Sequence, residues 1–311
     1  MRQRAGRLVI IGGNEDREHD KLVLRRFVEL TGRPDPRIVV LTAAGGPGGG
    51  AQSSPSQTPS APDPDNPFEV YARAFGELGA GQCVALPVGS REDANDPKAA
   101  DRILTADGIF ITGSDQKRLL AVVGGTAVDQ ALQQAFHRLG KCIAGTSAGA
   151  SALSQHMMQD SAASSDTGSL AAGLGLLQRV VIDQHFSERQ RLGRLLQVVA
   201  QNPTLIGVGI DEDTALVIEP SGAVEAVGEG AVTFIDGRQM SSNFLSGQQR
   251  ETLELIDVKL HLLPAGARYV FDAPATATAP RRAGRWGEPN EVPQALREIV
   301  HLITSSGSSL S

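Results

Sequence analysis

The sequence predicts an α/β fold, a three-layer sandwich in which a mainly parallel sheet is covered by helices on both faces. Three observations carry that prediction. Short apolar, β-branched runs alternate with amphipathic stretches from residue 7 to residue 210, and strands separated by a helix pair in parallel, with the helices on the sheet faces. At 145–149 the chain reads G-T-S-A-G directly after the apolar run 142–144, the pattern of an elbow that holds a serine outward between a strand and a helix. Beyond residue 214 the rhythm changes to short strands and glycine turns, which predicts an antiparallel C-terminal extension of the same sheet and not a second domain. Residues 1–272 are therefore expected to form one domain.

Residues 7–11 give the first strand, closed by Gly12 and Gly13. Val23, Phe27 and Leu30 then recur at i, i+4 and i+7, the spacing of a helix face. The glycine pair either makes the turn or brings backbone amides beside a ligand, but it lacks the G-x-G-x-x-G spacing of a dinucleotide site. Residues 38–41 form the second strand. The stretch 45–67 is dense in Gly, Pro and Ser and cannot pack, so it is expected as a surface loop on the ligand side of the sheet, an insertion or a lid. Tyr71, Phe75 and Leu78 mark a helix, 82–88 a strand, 98–104 a helix after the turn at Asn95, Asp96 and Pro97, and 108–112 a strand. That strand ends in Gly113, Ser114, Asp115 and Gln116 before helices at 117–123 and 128–139.

After the elbow, 151–158 is expected as the helix behind the serine, with Met157 and Met158 in the core, and 160–175 as a connection. Residues 176–182 read as a strand ending in Asp183, Gln184 and His185. A helix follows, its apolar side made by Leu192, Leu195, Leu196 and Val199. Strands at 204–210, 214–218, 223–227, 232–236, 258–263 and 269–271 complete the domain. A Pro/Ala/Arg linker at 273–289, a short helix at 292–303 and a frayed tail at 305–311 follow.

A chain of 311 residues can bury a full core. The net charge of −6 comes with no concentrated basic tract, which weighs against a nucleic-acid partner. No run of eighteen apolar residues occurs, so no membrane-spanning helix is expected. The N-terminus is basic and then apolar, but the apolar part is only residues 8–11 and acidic residues follow at once. It reads as the first buried strand of a cytoplasmic protein rather than a secretory signal. Cys83 and Cys142 lie in strand contexts and are expected as buried thiols.

A serine hydroxyl is weakly nucleophilic until a base takes its proton. Ser147, in the middle of the elbow, is the candidate nucleophile. Among His19, His137, His156, His185, His261 and His301, His185 stands at an expected strand end on the edge where Ser147 emerges. It is the candidate base, against the alternative of a histidine capping its following helix. A carboxylate should fix the imidazole tautomer, and four compete: Glu212, Asp211 and Asp213 after a buried run, and Asp183 two residues before His185. The chain order Ser, His, acid differs from the Ser, acid, His order of α/β hydrolases.

Oxyanion donors are expected from the Ala148 N–H and from the turn at Gly113 and Ser114. Gln116 either positions a substrate carbonyl or caps its helix. Arg189, Arg191 and Arg194 suit carboxylate recognition, although separations of two and three residues do not put all three on one helix face. The histidines are not spaced as a ligand set, and no metal or cofactor is expected.

Five stretches together, GGNEDR at 12–17, FITGSDQKRL at 110–119, AGTSAGASALS at 144–154, DQHFSERQRLGRL at 183–195 and GIDEDTAL at 209–216, resemble the cyanophycinase family of serine peptidases, which also holds peptidase E. The resemblance runs in order over residues 7–272. It implies Ser147 as nucleophile, His185 as base and Glu212 as the acid, with Gln116, Asp183, Gln184, Arg189, Arg191 and Arg194 lining the substrate cleft. It also implies the fold of the class I glutamine amidotransferases, often as a homodimer. The implied reaction is backbone cleavage of cyanophycin, a polyaspartate with arginine on each β-carboxyl, to β-aspartyl-arginine dipeptides, or cleavage of smaller aspartyl peptides. On that reading the arginines meet substrate carboxylates, and one of Glu15, Asp16 or Asp213 meets the guanidinium. Ser114 stands where the family usually has a second glycine, and the stretch 45–67 is longer than the family usually carries.

Overall fold

The computed structural model describes residues 5–43, 67–113, 115–158, 169–220, 223–245 and 252–270. The expected loop at 45–67 up to its last residue, Ser114, and the expected linker, helix and tail at 273–311 lie outside the described residues. The elements run β1 (Arg7–Ile11), α1 (Leu22–Leu30), β2 (Arg37–Thr42), α2 (Pro67–Glu77), β3 (Gln82–Pro87), α3 (Arg91–Asn95), α4 (Pro97–Thr105), β4 (Gly108–Ile111), α5 (Gln116–Val123), α6 (Ala127–His137), β5 (Cys142–Thr146) and α7 (Ala148–Ala152). They continue with β6 (His156–Met158), β7 (Leu170–Ala172), β8 (Val180–Gln184), α8 (Leu192–Gln201), β9 (Ile206–Ile210), β10 (Thr214–Ile218), β11 (Ala223–Gly228), β12 (Ala231–Asp236), β13 (Ser241–Ser242), β14 (Leu255–Ile256), β15 (Lys259–Pro264) and β16 (Arg268–Val270).

The central sheet has the order β16-β11-β10-β1-β5-β4-β2-β3. From β1 to β3 every pairing is parallel, while β10, β11 and β16 extend the sheet antiparallel. Side chains alternate across a strand, and β1 divides accordingly. Leu8 and Ile10 face a core shared with α4, α5 and α6, while Val9 and Ile11 face a second core with α1 and α2. The expected three layers are present. In the second core Phe27, Phe75 and Phe110 pack at centroid distances of 5.3 to 5.6 Å, and truncating any one of them should cost about 3–5 kcal/mol.

Two departures from the expected layout have local causes. The late strands do not all extend the central sheet: β12 and β15 join β9 and β8 in a four-stranded sheet, order β15-β12-β9-β8. Strand β9 reads I-G-V-G-I, so Ile206, Val208 and Ile210 face the shared core while its glycines leave the other face bare. A Cβ on Gly207 would meet Leu195 at 3.0 Å and one on Gly209 would meet Phe186 at 2.5 Å, so α8 and Phe186 lie directly on the strand. The turn 211–213 then carries the chain from this sheet into β10 of the central one.

The second departure is the helix behind the serine, which is only Ala148–Ala152, while Met157 and Met158 sit in β6 paired with β7. Ser154 ends the helical path. Its hydroxyl donates to Ser151 O at 2.8 Å and is 2.7 Å from His156 O, a local side-chain to backbone alternative to continuing the helix.

Candidate active site

Ser147 occupies the junction of β5 and α7 with φ 52° and ψ −117°, a region that a serine adopts only when its surroundings enforce it. The flanking glycines explain how. A Cβ on Gly145 would lie 2.5 Å from Gly149 O, and one on Gly149 would lie 2.4 Å from Ile111 O. Strand and helix therefore cross at a separation that only glycine permits. The Ser147 N–H donates to Ile11 O at 3.1 Å, which ties the elbow to β1. Gly113, at the end of β4, abuts the same point: its Cβ would lie 2.8 Å from Ala148 N and 2.8 Å from Ser147 Cβ. Two of the expected oxyanion residues, Ala148 and Gly113, are thus beside the serine, and the third, Ser114, lies outside the described residues.

His185 directly follows β8, and its N–H donates to Gly12 O at 2.8 Å. Its Nε2 is 3.1 Å from Ser147 Oγ, and its Nδ1 is 2.6 Å from Glu212 Oε1. Gly13, at φ 101°, makes room for the ring, because a Cβ there would lie 2.4 Å from His185 Cε1. Glu212 sits in the turn between β9 and β10. Partial burial pushes its carboxyl up, but hydrogen bonds from His185 and Asn14, with the charges of His185 and Arg189, outweigh that and hold it below the ordinary carboxylate value.

The other acids have different partners. Asp211 accepts the Ser187 hydroxyl at 2.6 Å, the Ser187 N–H at 3.1 Å and the Ala231 N–H at 3.0 Å. Asp213 accepts the Asp16 N–H at 2.8 Å, and burial followed by nearby carboxylates raises its pKa. Of the four acids that compete in the sequence, Glu212 is the one hydrogen-bonded to the imidazole.

The expected cleft residues separate into two groups. Asp183 is fully buried and accepts from Arg191 Nη1 at 2.9 Å and from Arg194 Nε at 2.7 Å. Arg191 is itself buried and also donates to Gln184 O at 2.8 Å. Asp183 and Arg191 therefore form a buried ion pair, and Arg194 leans on the same carboxylate. Arg189 is the exposed member of the three, and its charge reaches Glu212. Gln184 is buried, and its Oε1 has no hydrogen-bond partner among the described residues. Gln116 is buried and donates to Met158 O, tying α5 to β6, while Asp115 caps that helix.

Two of the acids expected to meet a guanidinium also have partners within the chain. Glu15 is 2 % exposed and accepts the Thr146 hydroxyl at 2.6 Å and the Tyr71 hydroxyl. Asp16 turns back on the amides of Lys21, His19 and Glu18, and these backbone bonds hold its carboxyl well below the usual range.

Two contacts of this site go beyond the sequence reading. Asn14 donates from Nδ2 to Glu212 Oε2 at 2.9 Å, and Glu15 holds the residue next to Ser147. The available signal was the parallel pairing of two predicted strands, since β1 pairs with β5 and the polar run after β1 must then emerge beside the elbow. Among the described residues no group of three or more His, Cys, Asp or Glu side chains is arranged to hold a metal ion, and no helix is long and apolar enough to cross a membrane.

Comparison with known proteins gives a consistent result. Residues 55–225 match the model of Peptidase family S51. The chain is 32% identical over 268 residues to a cyanophycinase of Geminocystis herdmanii, covering 84% of this chain and 92% of that protein. It is 34% identical over 272 residues to a cyanophycinase of Synechococcus elongatus, covering 85% of this chain and 79% of that one. A crystal structure of a peptidase from an acI-B1 Actinobacterium shares the fold, with a TM-score of 0.63 at 22% identity, over 87% of this chain and 99% of that chain.

Proposed function

This chain belongs to peptidase family S51 and is a serine-type peptidase, and from that premise we propose that it hydrolyses cyanophycin to β-aspartyl-arginine dipeptides through an acyl-enzyme on Ser147. The observation that carries the mechanism is the continuous hydrogen-bonded chain from Ser147 Oγ through the His185 ring to Glu212, at 3.1 and 2.6 Å. The substrate is supported by the names of the relatives, which are cyanophycinases at 32 to 34% identity.

Ser147 Oγ attacks the amide carbon while His185 Nε2 takes its proton, a transfer that contributes about 10²–10⁴-fold when geometry is right. The ionised Glu212 keeps the other ring proton on Nδ1 and supports the imidazolium that forms. Charge develops on the carbonyl oxygen, and the Ala148 N–H and the turn at Gly113 are assigned as its donors, each worth about 10²–10³ in rate. The intermediate collapses as His185 returns its proton to the leaving amine. Water, deprotonated by the same nitrogen, then cleaves the ester to free acid and serine.

Residues 1–272 act as one catalytic unit on this reading, and β16 at the edge of the central sheet supports it. The homodimer and the cytoplasmic location implied by the family accompany it. Gly13→Ala should displace the imidazole against which Gly13 packs. We expect it to lower turnover about 100-fold, read by steady-state hydrolysis at a pH where the wild type is fastest.

The substrate is tested by offering the purified protein cyanophycin and a panel of α- and β-aspartyl dipeptides, with products followed by mass spectrometry. Soluble β-aspartyl-arginine is the expected product. Turnover of the dipeptides with the polymer left intact would transfer the assignment to small aspartyl peptides.

A further inference from the structure

The turn joining β1 to α1 touches every member of the hydrogen-bonded chain. Ile11 O accepts the Ser147 N–H, Gly12 O accepts the His185 N–H, and Gly13 O accepts the Asp213 N–H at 2.9 Å, next to Glu212. Asn14 adds a side-chain hydrogen bond, Nδ2 to Glu212 Oε2 at 2.9 Å, while Oε1 of the same carboxylate meets His185 Nδ1.

A glutamate in a turn can rotate its carboxylate, and a fixed donor on one oxygen determines which oxygen faces the imidazole. Asn14 is such a donor. It sits at φ 50°, a left-handed conformation that asparagine tolerates better than most side chains, and the next residue, Glu15, is anchored by Thr146 and Tyr71. The charged groups near Glu212 are His185 and Arg189, with Asp211 and Asp213 flanking it in its own turn.

We propose that Asn14 is a positioning residue, one that orients the Glu212 carboxylate toward His185 and stabilises its ionised form. The proposal rests on the reading of Ser147, His185 and Glu212 as the catalytic set. Its sign follows from the bond: a donor to the carboxylate favours the charged state. Removing it raises the pKa of the Glu212 carboxyl, so the ionised partner of His185 is reached only at higher pH.

The test compares Asn14→Gly and Asn14→Asp. The first keeps the left-handed backbone without the amide, and the second keeps the side-chain shape but sets a second carboxylate against Glu212. The rate at which a small fluorophosphonate acylates the full chain is measured against pH, with Ser147→Ala alongside. The acid limb should move up by roughly half to one pH unit in Asn14→Gly and further in Asn14→Asp, with the plateau about 3- to 10-fold lower. Acid limbs that coincide with wild type overturn the role of Asn14, whether or not the plateau falls. Labelling that survives in Ser147→Ala overturns instead the catalytic set on which the role depends.

Discussion

Ser147→Ala is expected to lower peptide hydrolysis by about 10⁴- to 10⁶-fold without loosening the fold. The Ser147 hydroxyl contacts His185 Nε2, so its removal takes away the attacking atom and little packing. Alanine inherits the backbone strain of φ 52° and ψ −117°, because it too carries a Cβ, and its melting temperature should stay close to wild type. Ser147→Gly should be equally inactive but more stable, since glycine accepts positive φ and a strained residue stores about 1–3 kcal/mol. Hydrolysis rates and thermal denaturation of both variants check this pair of outcomes. A Ser147→Ala protein that retains a tenth of the wild-type rate would contradict it.

An effect on stability as large as that of the core phenylalanines is expected at Asp183. Its side chain is fully buried and accepts from both Arg191 and Arg194, with Arg191 buried as well. Asp183→Ala takes the carboxylate away from two guanidinium groups, one of them in the interior, and removing one partner of a buried pair typically costs about 3–5 kcal/mol. Asp183→Asn retains one acceptor oxygen and should lose less. Urea denaturation gives both values, and a loss under about 1 kcal/mol for Asp183→Ala would show that the pair is not what anchors the end of β8. Because Gln184 and His185 follow directly on Asp183, we expect turnover to fall with stability.

Signals that depend on neighbouring residues were legible in the sequence. The elbow could be read because its glycines and serine sit within five residues, and the parallel sheet because buried runs and amphipathic stretches alternate. His185 was legible from its place at a strand end. Glu212 was not separable from Asp211 and Asp213 by residue type, and only the family resemblance chose it. What distinguishes the three is contacts distant in sequence: Ser187 and Ala231 hold Asp211, Asp16 holds Asp213, and His185 and Asn14 hold Glu212.

The same limit applies to the arginines. Their spacing excluded a common helix face, but it could not reveal that Asp183 is the buried partner of Arg191 and Arg194. The division of the late strands between two sheets was equally hidden, because β9 and β10 are consecutive and apolar alike. Only pairings such as Val232 with Ile210 and Leu216 with Ile10 assign them to different sheets. The short helix behind the serine was overextended because an apolar stretch at Met157 and Met158 fits a helix or a strand equally well at that length.

The most direct measurement is the site of covalent modification in the wild-type protein. After reaction with a fluorophosphonate, digestion and peptide mass mapping should find one adduct, on Ser147. A folded protein that carries no adduct, or carries it on another serine, would contradict the assignment of Ser147 as the nucleophile.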